Sequence, residues 1–115
     1  MPALAPLDLS AGIRHFDAGH YWEAHEAWEE AWQELRGQGR DPEREFVQGL
    51  ILVAAALHRA INSGSRLGGR LNLAKAERHL QAAAPVLNGI SSTGLLRAAT
   101  LAVETGRAMP AVADA

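Results

Sequence analysis

A histidine and a glutamate one helical turn apart are the residues of this chain best placed to do chemistry. His25 and Glu29 lie in the segment Tyr21–Trp32, which also contains all three tryptophans. At about 100° per residue, His25 falls within the apolar face of such a helix and Glu29 lies at its edge. Because burying an unpaired polar group is costly, this inward-facing pair predicts a partner on a neighbouring element, and with it a site.

The following helix is expected to complete this site. A short loop joins the predicted second and third helices, so they should pack antiparallel. In that register Gln48 comes level with Glu29, and His58 comes near Trp22. The predicted result is a polar pocket between the two helices, with tryptophans as its walls. Its candidate residues are Trp22, His25, Glu26, Trp28, Glu29, Gln48 and His58, with Trp32 as a further wall.

Three interpretations of this cluster are chemically reasonable. In the first, His25, Glu29 and His58 are the protein ligands of a divalent metal ion, since side chains four residues apart on a helix can share one ion. In the second, the site is metal-free: Glu29 acts as a general base oriented by His25, and the tryptophans stack on a flat or cationic small ligand.

The third interpretation is structural. His25 and Glu29 then hydrogen-bond to each other and to Gln48, and together they fix the register of the two helices. No serine or cysteine nucleophile has a motif around it, and no phosphate-binding loop is present. The sequence therefore leaves open whether the protein is an enzyme and, if it is, which reaction it catalyses.

Composition limits the class of protein more than it limits the activity. The chain has 115 residues, a formal net charge of −2 and no cysteine. Its length suits one domain, and the lack of cysteine excludes disulfides and thiolate zinc sites. The charge argues against general nucleic-acid binding, and no segment predicts a membrane span or a secretory signal. We therefore expect a cytoplasmic protein without nucleic-acid or membrane partners.

Charge is divided unevenly along the chain. Residues 1–45 contain ten acidic and four basic residues, whereas residues 46–115 contain three acidic and seven basic residues. Since opposite charges attract, the simplest expectation is an acidic early helix packed beside a basic later one. A basic outer surface that binds a polyanion is a weaker alternative.

The spacing of apolar residues predicts an all-α, compact single-domain bundle of about five helices, organised around the antiparallel hairpin of helices two and three. The predicted helices cover about 8–18, 21–36, 41–62, 68–84 and 91–105. The domain covers residues 1–115, with an ordered core at about 8–106 and frayed ends at 1–6 and 107–115.

The third predicted helix is apolar on nearly all sides. Phe46, Leu50, Val53 and Leu57 form one stripe, and alanines cover much of the rest. Such a helix is either central in the fold or buried at a subunit interface. The alternative function is therefore a helical-hairpin interaction module or a homodimeric scaffold, in which the histidine–glutamate pair is structural. Gly49 is expected to let helices two and three approach closely.

The chain also resembles a known family over about residues 9–87. The resemblance depends on the pattern Phe16-x-x-Gly19-x-Tyr21-Trp22-Glu23-Ala24-His25-Glu26-x-x-Glu29-x-x-Trp32. It continues at Gln48-Gly49-x-Ile51 and Ala54-Ala55-x-x-His58. These motifs are similar to those of the family known as domain of unknown function 309, although Trp28 stands where that family usually has an aliphatic residue.

The resemblance implies a compact all-helical fold in a cytoplasmic protein, and it implies no established activity. It adds Glu23 to the candidate residues and supports the other polar candidates. Because the family has no assigned reaction, the resemblance does not decide among the three interpretations of the cluster.

Overall fold

The computed structural model describes residues 7–112, most of which lie in five α-helices. The helices are α1 (Ser10–Asp17), α2 (Tyr21–Glu34), α3 (Asp41–Leu57), α4 (Arg66–Gln81) and α5 (Ser92–Thr105). A π-helical segment, His58–Asn62, continues α3, and the short strands β1 (Val86–Leu87) and β2 (Ile90–Ser91) pair antiparallel. The predicted all-α fold with five helices is confirmed.

Helix α3 is the centre of the core. Phe46, Leu50, Val53 and Leu57 are completely buried. Helices α2, α4 and α5 all pack against α3, so its apolar faces are covered within the chain. The apolar excess of this helix is therefore used by the core of the molecule itself, where each fully buried aliphatic side chain contributes about 1.5–3 kcal/mol.

Gly49 in α3 permits a close helix approach, but the prediction gave it the wrong neighbour. A Cβ atom at Gly49 would lie 2.5 Å from Leu80 Cδ2, so the glycine faces α4 and not α2. The physical reason is the helical period: Gly49 is rotated by about 100° from Gln48, which faces the α2 side. This approach brings α4 close enough to become a third wall beside α2 and α3.

The expected packing of an acidic early helix beside a basic later one is wrong. The acidic helix α2 packs against α1 and α3, whereas the basic helix α4 packs against α3, the π-helical segment and α5. Burial of the apolar sides of α3 determines this arrangement, because exposed ion pairs stabilise a fold by only about 0–1 kcal/mol each. The acidic helix α2 and the basic helix α4 therefore both pack on α3 and not mainly on each other.

The connection before α5 contains a feature that the sequence analysis missed. Asn88 and Gly89 form the turn of the β1–β2 hairpin, with φ angles of 50° and 77°. Positive φ at both turn residues is the geometry that favours an Asn-Gly pair between two short strands. An Asn-Gly pair of this kind is a short-range hairpin signal in the sequence. Ser91 caps the following helix, since its Oγ accepts a hydrogen bond from Gly94 N at 3.1 Å.

Part of the C-terminal segment expected to be frayed is buried instead. Met109 and Val112 are at most 8 % exposed. Tyr21 Oη accepts a hydrogen bond from Met109 N at 3.3 Å, and Asp17 Oδ1 accepts one from Val112 N at 2.8 Å. Burial raises the pKa of the Tyr21 hydroxyl. The sequence analysis missed this docking because two isolated apolar residues carry no helical period; the predicted frayed ends at 1–6 and 113–115 lie outside the described residues.

Candidate functional site

Contacts between α2 and α3 define a seam that runs from Trp22 to Trp32. Trp22, in the first turn of α2, lies beside His58, which directly follows α3; their ring centroids are 5.3 Å apart. Trp32, in the last turn of α2, lies beside Arg44 in the first turns of α3. The start of one helix therefore meets the end of the other, as the antiparallel prediction requires. The seam has a different polar cluster at each end.

The aromatic–imidazole cluster, which consists of Trp22, His25, Glu29 and His58, occupies the first end. The rings of Trp22 and His25 stack with centroids 4.7 Å apart and planes 15° from parallel. His25 Nε2 lies 3.3 Å from Glu29 Oε1. Because Trp22 contacts both imidazoles, the cluster unites four of the residues predicted to form the site.

Within this cluster, the His25 side chain is only 15 % exposed, whereas that of Glu29 is 53 % exposed. His25 Nδ1 is buried and has no hydrogen-bond partner among the described residues. An unsatisfied buried polar atom costs roughly 1–3 kcal/mol. Stacking under Trp22 and a solvent-exposed carboxylate are therefore the main interactions that hold this imidazole.

His58 lies where α3 changes its hydrogen-bonding pattern. Ser63 N donates to His58 O at 3.0 Å, a spacing of five residues that is characteristic of a π-helical turn. Such turns are rare, and they occur frequently at functional sites. His58 N still donates to the Ala54 carbonyl oxygen, so α3 positions this residue, and the changed pattern affects the chain that follows it.

The predicted metal ligands are not assembled as a metal site. Within residues 7–112, no group of three or more His, Asp or Glu side chains is placed so that it could hold a metal ion. His25, Glu29 and His58 therefore do not form the three-ligand set of the first interpretation. The helical spacing brings His25 and Glu29 together. The tertiary structure, however, places the His58 ring against Trp22.

At the other end of the seam, six residues line a cavity of about 360 Å³. We call it the seam cavity. Three helices, α2, α3 and α4, form its walls, and the lining residues are Trp32, Asp41, Arg44, Glu45, Gln48 and His79. The Arg44 guanidinium lies 3.8 Å from the centre of the Trp32 ring, and Arg44 Nε donates to the Trp32 carbonyl oxygen at 3.5 Å. Stacking of this kind fixes the plane of the guanidinium.

A hydrogen bond between an imidazole and a carboxylate closes the α4 side of the seam cavity. His79 Nδ1 lies 2.6 Å from Glu45 Oε2, and both side chains are about two-fifths exposed. The Gln48 side chain makes no hydrogen bond with any residue that the structure describes and is half-buried at the cavity wall. The cavity therefore contains a guanidinium, two carboxylates, an imidazole and an unpaired amide.

Three other predicted site residues lie outside both clusters. Trp28 is completely buried: its Nε1 donates to the Leu9 carbonyl oxygen at 3.2 Å, and its ring lies 5.6 Å from that of Phe16. This tryptophan fills the space between α2 and α1. Glu26 is exposed on the outer surface of α2, as is Glu23. Gln48 belongs to the seam cavity and not to the aromatic–imidazole cluster.

The sequence analysis did not include several residues of the seam cavity among its site candidates. Arg44 precedes Gln48 by one helical turn, so the helical period carried a signal for it. His79 comes from α4, 34 residues after its partner Glu45. No local spacing links these two positions, because their contact depends on how α4 packs against α3.

The family described as "Domain of unknown function (DUF309)" matches residues 9–71. The matched region contains α1, α2, α3 and the π-helical segment, and therefore every residue of the two clusters except His79. No curated protein and no solved structure matches the chain. None of the described helices is long and apolar enough to cross a membrane. Since the match covers more than half of its 115 residues, the chain belongs to the DUF309 family.

Proposed function

We propose that this protein binds a small zwitterionic molecule, one that carries both a carboxylate and an ammonium group, in the seam cavity. The observation that carries the proposal is the stacked Arg44 guanidinium, with Gln48 beside it in a cavity of about 360 Å³. This volume falls in the range of about 300–1,000 Å³ that is usual for small-molecule pockets. Convergent polar groups on an aromatic wall are also typical of such pockets.

Arg44 is the group proposed to bind the carboxylate. Its Nε donates a hydrogen bond to the Trp32 carbonyl oxygen, whereas its two terminal nitrogens make no hydrogen bond with any described residue. A guanidinium with a free edge can donate two parallel hydrogen bonds to a carboxylate. Because Trp32 covers one face of the group, the free edge is the part available to a ligand.

The opposite charge in the cavity favours an ammonium group on the same ligand. Asp41 is exposed at the start of α3, and Glu45 is held by His79. A simple anion would meet these carboxylates as well as Arg44 and would be repelled by them. A zwitterion places each of its charges beside an opposite one. The amide of Gln48 can donate to, or accept from, either end of the ligand.

Calorimetric titration with single amino acids tests this proposal. The panel contains the common amino acids as zwitterions, with acetate and methylamine as the two half-ligands. We expect at least one amino acid to bind, and both half-ligands to bind at least tenfold more weakly. Arg44→Lys keeps the charge but loses the fork, so its affinity should fall about tenfold, which corresponds to about 1.4 kcal/mol.

His25→Leu, at the other end of the seam, is the matched control and should bind with unchanged affinity. Equal binding of acetate and of an amino acid would show that the acidic part of the cavity does not recognise the ligand. If no zwitterion in the panel binds, or if Arg44→Ala binds as well as the unmodified protein, the proposal is wrong.

We assign the aromatic–imidazole cluster a structural part in this proposal. The stack of His25 under Trp22 and the contact of Trp22 with His58 link α2 to the π-helical segment. In this proposal the cluster supports the register of the seam, and the groups that bind the ligand are those of the seam cavity.

A further inference from the structure

We infer that this chain self-associates, with the outer surface of α2 on one copy docking against the outer surface of α4 on a second copy. The α2 surface, here named the acidic face, consists of Trp22, Glu23, Glu26 and Glu30. The α4 surface, named the basic face, consists of Leu67, Leu71, Lys75 and Arg78. The inference is independent of the ligand proposed for the seam cavity.

The acidic face combines uncompensated negative charge with an exposed aromatic ring. Helix α2 contains no lysine or arginine, and its five glutamates are all exposed. The carboxylates of Glu23, Glu26 and Glu30 make no ion pair within residues 7–112. Trp22 is 45 % exposed among them. Exposed tryptophans are frequent anchors of protein interfaces, where surrounding polar residues form the rim.

The basic face has the complementary composition. Leu67 is 66 % exposed and Leu71 is 58 % exposed, and the two leucines lie one turn apart on the outside of α4. Lys75 and Arg78 continue the same side of the helix, and neither forms an ion pair with any described residue. An apolar pair followed by two free cations therefore faces outward from a well-packed helix.

Not every base of α4 is available in this way. Arg70 Nε and a terminal nitrogen of Arg70 each donate to Glu104 of α5 at 2.7 Å. This bidentate pair lowers the pKa of the Glu104 carboxyl and holds Arg70 against α5. Lys75 and Arg78 are therefore the free cations on the side of α4 that carries the two exposed leucines.

The two faces cannot neutralise each other within one molecule. Helices α2 and α4 each pack on α3, and no carboxylate of α2 forms an ion pair with a base of α4 in the described part of the chain. The charge asymmetry along the sequence is therefore still present on the folded surface. A second copy provides both the cations for the acidic face and the leucines on which Trp22 can pack.

An interface between two different faces is heterologous. When α2 of one copy docks on α4 of the next, each end of the pair retains one unused face. Association then continues beyond a dimer unless the rotation between copies closes a ring. Because charge complementarity contributes, the assembly should weaken as salt screens the two faces.

Sedimentation equilibrium of the full chain and of charge-reversal variants tests the inference. The unmodified protein should show a mass that rises with concentration at low salt, and about 0.5 M salt should weaken the association at least tenfold. Glu26→Lys with Glu30→Lys reverses the acidic face, and Lys75→Glu with Arg78→Glu reverses the basic face. Each of these double variants should be monomeric by itself.

Mixing the two reversed variants should restore association. The unreversed basic face of the first variant then meets the unreversed acidic face of the second, and the two reversed faces also carry opposite charges. Arg97→Glu with Arg107→Glu changes the net charge as much as the basic-face variant but lies on exposed positions outside both faces. This control should associate like the unmodified protein. If it is monomeric, net charge and not the basic face controls association, and the inference is wrong.

The inference is also wrong if the unmodified protein stays monomeric at all concentrations at low salt, or if mixing the reversed variants leaves both monomeric. Binding of the basic face to polyglutamate or DNA, with no self-association, would show that its partner is a different polyanion. Circular dichroism of every variant identifies any loss of folding, and Trp22→Ser provides a neutral second test of the same acidic face.

Discussion

At both ends of the α2–α3 seam, a tryptophan of α2 stacks on a nitrogen-bearing side chain, but the surroundings of the two rings differ. Trp22 stacks on His25 of its own helix and remains 45 % exposed. Trp32 is half-buried, receives Arg44 from α3, and lines a cavity to which α4 contributes His79. One helix is enough for the first stack and two helices for the second, whereas the cavity needs a third helix as its wall.

The same comparison separates a buried polar atom from an accessible one. His25 Nδ1 is buried and has no partner in the described part of the chain, while the Gln48 amide lines an open cavity. A ligand can satisfy the second group directly, but it cannot reach the first without movement of Trp22 or of the helices. We therefore place ligand binding at the Trp32 end, and the following predictions test that division.

The largest expected effect distinguishes the core tryptophan from the exposed one. Trp28→Ala should lower the free energy of unfolding by about 3–5 kcal/mol, because it empties a completely buried site between α1 and α2. Trp22→Ala should lower it by less than about 1 kcal/mol, because nearly half of that side chain is already in solvent. Urea unfolding followed by circular dichroism measures both values, and equal losses would contradict the assignment of Trp28 to the core.

The next effect tests the third wall of the seam cavity. Gly49→Ala should destabilise the fold by about 1–3 kcal/mol, because the new Cβ atom meets Leu80 and moves α4 away from α3. In a helix without that contact, the same change would stabilise the protein by about 1 kcal/mol. The sign of the change in the thermal unfolding temperature therefore shows whether the new Cβ atom is forced against Leu80. Amino-acid binding in the seam cavity should weaken in parallel, while the Trp22 environment stays unchanged.

A smaller effect tests the unpaired nitrogen of His25. His25→Leu should match the stability of the unmodified protein or exceed it by about 1 kcal/mol, because the substitution removes an unsatisfied buried atom and keeps the volume. His25→Ala should lose about 1 kcal/mol, because it leaves Trp22 without its stacking partner. A loss of more than about 2 kcal/mol for His25→Leu would show that His25 Nδ1 has a polar partner and would contradict its unpaired state.

The smallest expected effect concerns the stack at the cavity. Arg44→Lys should lower stability by only about 0.5–1 kcal/mol, the usual range for a partly exposed cation–aromatic contact. Its clearest sign should be spectroscopic: the indole resonance of Trp32 should shift, and that of Trp22 should not. A shift of both resonances would show that the two ends of the seam are coupled and would contradict their separation.

Much of the candidate site could be predicted from residues close in sequence. The spacing of His25 and Glu29 predicts their contact, and the short connection between α2 and α3 predicts that His58 meets Trp22. The division of the candidates between two clusters could not be predicted in this way. Gln48 was grouped with the histidines, and it joined Trp32 and His79 only because α4 closes on α3 at Gly49.

The sequence by itself determined the five helices, the hairpin of α2 and α3, and the apolar character of α3 on nearly all sides, whereas its central position followed only from the tertiary structure. These properties depend on the helical period and on turn residues, which act over a few neighbouring positions. The tertiary structure alone decided which helix covers which side of α3, and therefore the third wall of the seam cavity and the separation of the acidic helix from the basic one. Packing of buried surface determines such choices, and it depends on the shapes of side chains that are distant in sequence.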